Sequence, residues 1–193
     1  MPCSLIMSML EGTRDMLNNI SNDWKGSTIV ERKIISNLLG LEATPNAIKY
    51  FAKHQSKLSD YWYWFSLGTL WISYSGYSDI KLWRQLLSSP RPNRKTSLMK
   101  PDEVVEFNKL PETITAYRAH RTRETDWISY TLSSAIARRF AIERTVYEIS
   151  KYRVQKSDVI ALFLRRGEYE LITLNRDNQE LVENIAILNI NRD

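Results

Sequence analysis

The sequence predicts an α+β fold, with a helical N-terminal domain over residues 1–98 and a strand-rich domain over 99–193 that holds one internal helix. Three observations predict it. Apolar residues recur at helical spacing through the first half, six short runs rich in Val, Ile, Tyr, Thr and Leu follow Pro111, and one helix-patterned stretch interrupts those runs. A chain of 193 residues with 43% hydrophobic content is long enough to bury a core.

The first expected helix is "SLIMSMLEGTRDMLNNI", where Leu5, Met9, Leu10, Met16, Leu17 and Ile20 repeat at close to helical spacing. A second is expected in "STIVERKIISNLLG", with Ser27 as N-cap and Gly40 as its end. "TPNAIKYFAKHQSKLSDYWYWF" follows, with Thr44 as cap, Pro45 at the first helical position, and a stripe through Ile48, Phe51, Leu58, Trp62 and Phe65. His54 lies on that stripe, and a lone histidine there reads as a packed core residue. Tyr61, Trp62, Tyr63, Trp64, Trp71 and Trp83 read mainly as core, since a small helical domain needs their large apolar area. "SSPRPNRKTSLMKP", residues 88–101, has the composition of a boundary loop.

In the second half the expected strands are 113–120, 126–132, 145–154, 158–165, 168–174 and 183–190. Between the second and third, "SSAIARRFAIER" places Ala137, Phe140 and Ala141 on one helical face, with Ser133 as cap.

Composition narrows the function classes. Cys3 is the only cysteine and His54 and His120 the only histidines, which excludes a disulfide framework, a cysteine-based zinc site and a multi-histidine metal site. No metal is expected. The stretch "MPCSLIMSMLEGTRD" lacks a basic n-region and carries Glu11 and Arg14, so the expected location is cytoplasmic. Residues 61–78 form an 18-residue charge-free run, but its serines, glycines and threonine make it too polar for a membrane span; a buried helix and a turn are expected. The net charge is +5, and residues 1–98 hold all the excess, with 12 basic against 7 acidic side chains. Such a half can attract an anionic or nucleoprotein partner, although a solvated surface is the favoured reading of so modest an excess.

No G-x-G-x-x-G and no G-x-x-x-x-G-K-[ST] occurs, so neither the dinucleotide-binding nor the P-loop fingerprint is present. "GEYEL" instead offers two acids, Glu168 and Glu170. On a strand they would share a face about 7 Å apart, where in a cleft their repulsion would separate their pKa values. A glycosidase would use two carboxylates, but acids two residues apart on one strand do not flank a glycosidic bond.

"AYRAH", "WISYTLS" and "GEYELI" occur in that order, each at an expected strand. This arrangement resembles the mono-ADP-ribosyltransferase family, in the branch marked by an arginine strand, a Ser-x-Ser/Thr strand and a Glu-x-Glu. The likeness covers roughly residues 112–190 and is greatest to small bacterial and phage sequences. It implies a split β-sandwich with one internal helix, and NAD as co-substrate bound without a Rossmann fold. It implies NAD contacts at Tyr117, Arg118, Ala119, Ser129, Tyr130, Thr131 and Phe140. By this resemblance Arg118 pairs with the NAD phosphates, Ser129 orients the catalytic glutamate or the nicotinamide ribose, and Thr131 supports the strand. Glu170 is the catalytic residue beneath the ribose, while Glu168 positions or deprotonates the acceptor, for which a protein arginine is the first expectation. Ala119 stands where the family usually has glycine, and only ten residues separate Arg118 from Ser129. Tyr130 either stacks on nicotinamide or faces the core.

The leading expectation is therefore a NAD-dependent mono-ADP-ribosyltransferase acting on a macromolecule, protein rather than nucleic acid, as a bacterial or phage effector or toxin in the host cytoplasm. The alternatives are a NAD glycohydrolase toxin and a non-catalytic module that blocks a nucleoprotein partner through the "RPNRK" segment.

Overall fold

A computed structural model describes residues 19–74 and 79–187. The first expected helix falls almost wholly outside the described residues, as does the turn expected at the end of the charge-free run. The chain separates into two compact units, Met1–Val105 and Glu106–Asp193. Together they hold helices and a six-stranded antiparallel sheet, an α+β fold.

In the first unit, helix α1 spans Ile29–Gly40. Its cap is Thr28 rather than the expected Ser27. Thr28 Oγ1 accepts from the Glu31 backbone N–H at 3.1 Å, and Glu31 returns the bond by accepting from the Thr28 N–H at 2.7 Å. Two otherwise orphaned donors are thereby satisfied. Glu31 also accepts from the Ser59 N–H at 2.8 Å, so this one carboxylate joins two helix starts.

The single helix expected over 44–65 is in fact two. Helix α2, Asn46–His54, runs into a 3₁₀ turn at Gln55–Lys57, the chain extends at Leu58, and helix α3 follows over Asp60–Ser73. Thr44 does not cap α2; its hydroxyl donates back to the Leu41 carbonyl at 2.7 Å. Arg91 holds the break. Its guanidinium donates to the carbonyls of Leu58 and Gln55 and to Asp60, and lies 4.6 Å from the Tyr63 ring centre. Helix α3 is apolar on every side and buried, with Tyr63, Trp64 and Leu67 excluded from solvent. His54 is half-buried with its ring 4.4 Å from that of Tyr50.

Helix α4, Ile80–Leu87, is capped by Asp79, and the stretch expected as a boundary loop contains helix α5, Arg94–Leu98. Leu98 and Met99 are each only 2% exposed, so this segment belongs to the core of its unit. Helix α6 spans Pro101–Lys109. Among the described residues no helix is long and apolar enough to cross a membrane.

In the second unit the strands are β1 Thr113–Arg118, β2 Ser129–Thr131, β3 Glu148–Gln155, β4 Val159–Phe163, β5 Glu170–Thr173 and β6 Glu180–Ala186, in the order β4-β5-β2-β1-β3-β6. All six expected runs contribute a strand, most of them shorter than expected. Helix α7, Ser134–Glu143, starts at the expected cap, with Ser133 Oγ accepting from the Ile136 N–H at 3.3 Å. Its Ala137 and Ala141 pack with Ala119 and Ile149, and small side chains there let the helix lie close to the sheet. Tyr130, Tyr152, Ala116, Ile114 and Leu171 are buried on the opposite face.

Pairing strength varies across the sheet. Strands β1 and β3 pair over six residues, whereas β1 and β2 share the register pair Tyr117↔Thr131. Arg118 ends β1 and Ser129 begins β2 beyond that pair, with no further register partner between them.

Candidate functional site

Sheet order brings together the three sequence motifs. Strand β2 lies between β1 and β5, and one row across them reads Tyr117, Thr131, Glu170. Adjacent strands lie about 4.8 Å apart, so the backbones of Tyr117 and Glu170 are about 10 Å apart. Their side chains, with Ser129, emerge on the α7 side. Phe140 from α7 packs against the same cluster as Tyr117 and Ala119.

Arg118 leaves β1 on the other side, and its guanidinium bridges the two strands. Nη1 donates to the Ser129 carbonyl at 2.7 Å and to Ser129 Oγ at 3.2 Å. Nε and Nη2 donate to the two Glu124 oxygens at 3.0 and 2.7 Å, a forked pair whose side chains are each 12% exposed. A carboxylate thus occupies the position where the resemblance expects a phosphate.

Glu124 is the centre of a network that sequence reading missed. His120 Nδ1 lies 3.0 Å from it, His120 Nε2 lies 2.8 Å from Tyr152 Oη, and Trp127 packs edge-on to the imidazole at 4.3 Å. Burial by itself would raise the Glu124 pKa, but hydrogen bonds from His120 and Arg118, with their positive charges, hold it down at about 2. The only available signal was an acid four residues after a histidine in the basic stretch "HRTRE".

Positive charge concentrates nearby. Arg144 donates to the Ala119 carbonyl, and its pKa is lowered to about 10, chiefly by burial and then by the charges of Arg118 and Arg121. A cavity of about 210 Å³ adjoins this cluster, lined by His120, Arg121, Thr122, Val146, Glu148 and Ser150. Among the described residues no group of three His, Cys, Asp or Glu side chains is arranged for a metal.

The expectation for the acid pair needs correction. Glu168 and Glu170 do not share a regular strand face: β5 begins at Glu170, and Tyr169 has φ +48°, which reverses the alternation before it. Glu168 instead lies in the β4–β5 loop, where Arg166 Nη2 donates to its Oε2 at 2.7 Å and Arg139 Nη2 stands 3.9 Å from its Oε1. Tyr130 belongs to the core. It is 2% exposed, its hydroxyl accepts from Trp127 Nε1 at 2.8 Å, and burial pushes its pKa up to about 12. Thr131 is buried and donates to the Glu168 carbonyl at 2.6 Å while accepting from the Ser133 N–H at 3.1 Å, so it ties the acidic loop to the start of α7. In the "RPNRK" segment Arg94 donates to the Leu87 carbonyl at 3.1 Å and Arg91 holds the break before α3, while Pro92, Asn93 and Lys95 are exposed.

Comparison with family models, curated proteins and solved structures found no match to this chain.

Proposed function

We propose that the chain is a NAD-dependent mono-ADP-ribosyltransferase that modifies a macromolecular acceptor as a bacterial or phage effector. The observation that carries this reading is the sheet order. Motifs separated by up to about fifty residues lie on three neighbouring strands, β1, β2 and β5, where β1 and β2 share a single register pair. The single register pair between β1 and β2 is compatible with the split β-sandwich that the resemblance implies.

The chemistry suits these residues. Loss of nicotinamide leaves positive charge on the ribose, and a preorganised carboxylate at Glu170 stabilises it electrostatically. Arg118, Arg121 and Arg144 give this region a positive field for the pyrophosphate. Arg118 is already paired, so a phosphate binds there by displacing Glu124 and taking over its forked hydrogen bonds.

The test is incubation of the purified protein with NAD and a bacterial lysate beside its Glu170→Gln variant. Nicotinamide release with a labelled acceptor, both lost in the variant while NAD binding persists, supports the transferase. Release with no label anywhere identifies water as the acceptor, and no release at all overturns the reading.

A further inference from the structure

We propose that helix α2 and the 3₁₀ turn that follows it form a docking surface for single-stranded nucleic acid, with Lys49, Lys53 and Lys57 as its phosphate contacts. The surface lies within the first unit and is independent of the transferase reading.

Cations stand unopposed on this segment. Residues 46–57, "NAIKYFAKHQSK", carry three lysines and no Asp or Glu. All three lysines are exposed, and among the described residues none of their ammonium groups has a hydrogen-bond or ion-pair partner. Exposed cations such as Lys109 and Arg153 have acids beside them, Glu106 at 2.6 Å and Glu180 at 2.7 Å. Four residues of helix advance about 6 Å, so Lys49 and Lys53 stand one turn apart on the face away from the buried Ala47, Ile48 and Phe51. Lys57 ends the turn Gln55–Lys57 at the same sequence interval. Helix α1 adds Lys33, exposed and one turn before Asn37, whose Nδ2 donates to Tyr50 Oη at 2.6 Å.

Helix energetics does not account for the row. Like charges one turn apart repel and weaken a helix. Lys53, in the last turn, is favoured by the helix dipole, but Lys49 lies toward the N-terminal end, where the dipole disfavours a cation.

Two features select the occupant. A nucleic-acid strand supplies closely spaced negative charges, about one per 3.4 Å of axis in a duplex, so several phosphates fall within reach of the lysine row. Tyr50 and His54 occupy the neighbouring row of α2, half-buried, with ring centres 4.4 Å apart, and offer unpaired bases an aromatic platform. An acidic peptide matches the lysines and not the rings. A membrane surface calls for large apolar side chains on the docking face, whereas the exposed residues here are Asn46, Lys49, Lys53, Ser56 and Lys57.

The experiment titrates the purified full chain into a fluorescent single-stranded oligonucleotide of about 12 nucleotides, followed by anisotropy over a salt series. Binding whose log–log salt slope is about 2–3, equivalent to three or four phosphates, is the expected result. Lys49→Gln combined with Lys53→Gln should weaken it about 10-fold and lower the slope by about 1.4. Lys25→Gln combined with Lys81→Gln removes the same charge from other exposed positions of the unit and should leave affinity within about 2-fold. Circular dichroism of both variants confirms that the fold is kept. No binding at low salt, or equal weakening by the two pairs, overturns the surface. Tighter binding to a duplex of the same sequence overturns the single-strand assignment, and tighter binding to polyglutamate or to anionic lipid vesicles overturns nucleic acid as the partner.

Discussion

Replacing Glu124 with Gln removes the negative partner of a buried arginine, and the size of the effect follows from the site. The Glu124 carboxyl has its pKa lowered from 4.5 to about 2, which corresponds to about 3 kcal/mol in favour of the folded state at neutral pH. A second route gives a similar figure: breaking one partner of a buried ion pair costs about 3–5 kcal/mol, because the remaining charge is left uncompensated. The sign is set by the direction of the shift. A lowered carboxylate pKa adds stability above the unfolded value of 4.5, and this is lost as pH falls through about 2. Urea unfolding of both proteins, stepped from neutral pH down to about pH 3, should therefore show a gap of about 3 kcal/mol that narrows on acidification. A gap below about 1 kcal/mol at neutral pH, or one that stays constant with pH, would refute the assignment of Glu124 as the charged partner that holds Arg118.

Two further outcomes are expected from other parts of the chain. Thr28→Ala removes the hydroxyl half of the capping box at α1 and should cost about 1 kcal/mol in thermal or urea unfolding of the helical unit, while Thr28→Ser should restore most of it. Tyr130→Phe keeps the ring but leaves the Trp127 indole N–H without its acceptor, at a cost of about 1–3 kcal/mol; a shift in Trp127 fluorescence should accompany it.

Local patterns were legible where neighbours in sequence are also neighbours in space. Ser133 and the alanine face of α7 were readable because a cap and a helical stripe are set within a few residues. The six strand runs were readable for the same reason, as β-branched and aromatic residues suit a pleated, half-buried surface. Even locally there were limits. The shift of the α1 cap by one residue turned on Glu31 reaching both Thr28 and Ser59, and the break before α3 turned on Arg91, more than thirty residues away from the carbonyls it binds.

The sequence by itself determined the division into helical and strand-rich halves, the lack of a nucleotide-binding glycine fingerprint, and the residues in the three strand motifs. Only the tertiary structure decided what those residues touch. Strand order put β2 between β1 and β5, a choice made by pairings between distant segments that leave no trace in local periodicity. The left-handed residue at Tyr169 separated Glu168 from Glu170, which alternation alone would have placed on one face. The β1–β2 connection, exposed on either side of Glu124, turns that carboxylate inward onto Arg118, because a guanidinium largely withdrawn from solvent requires a counter-charge.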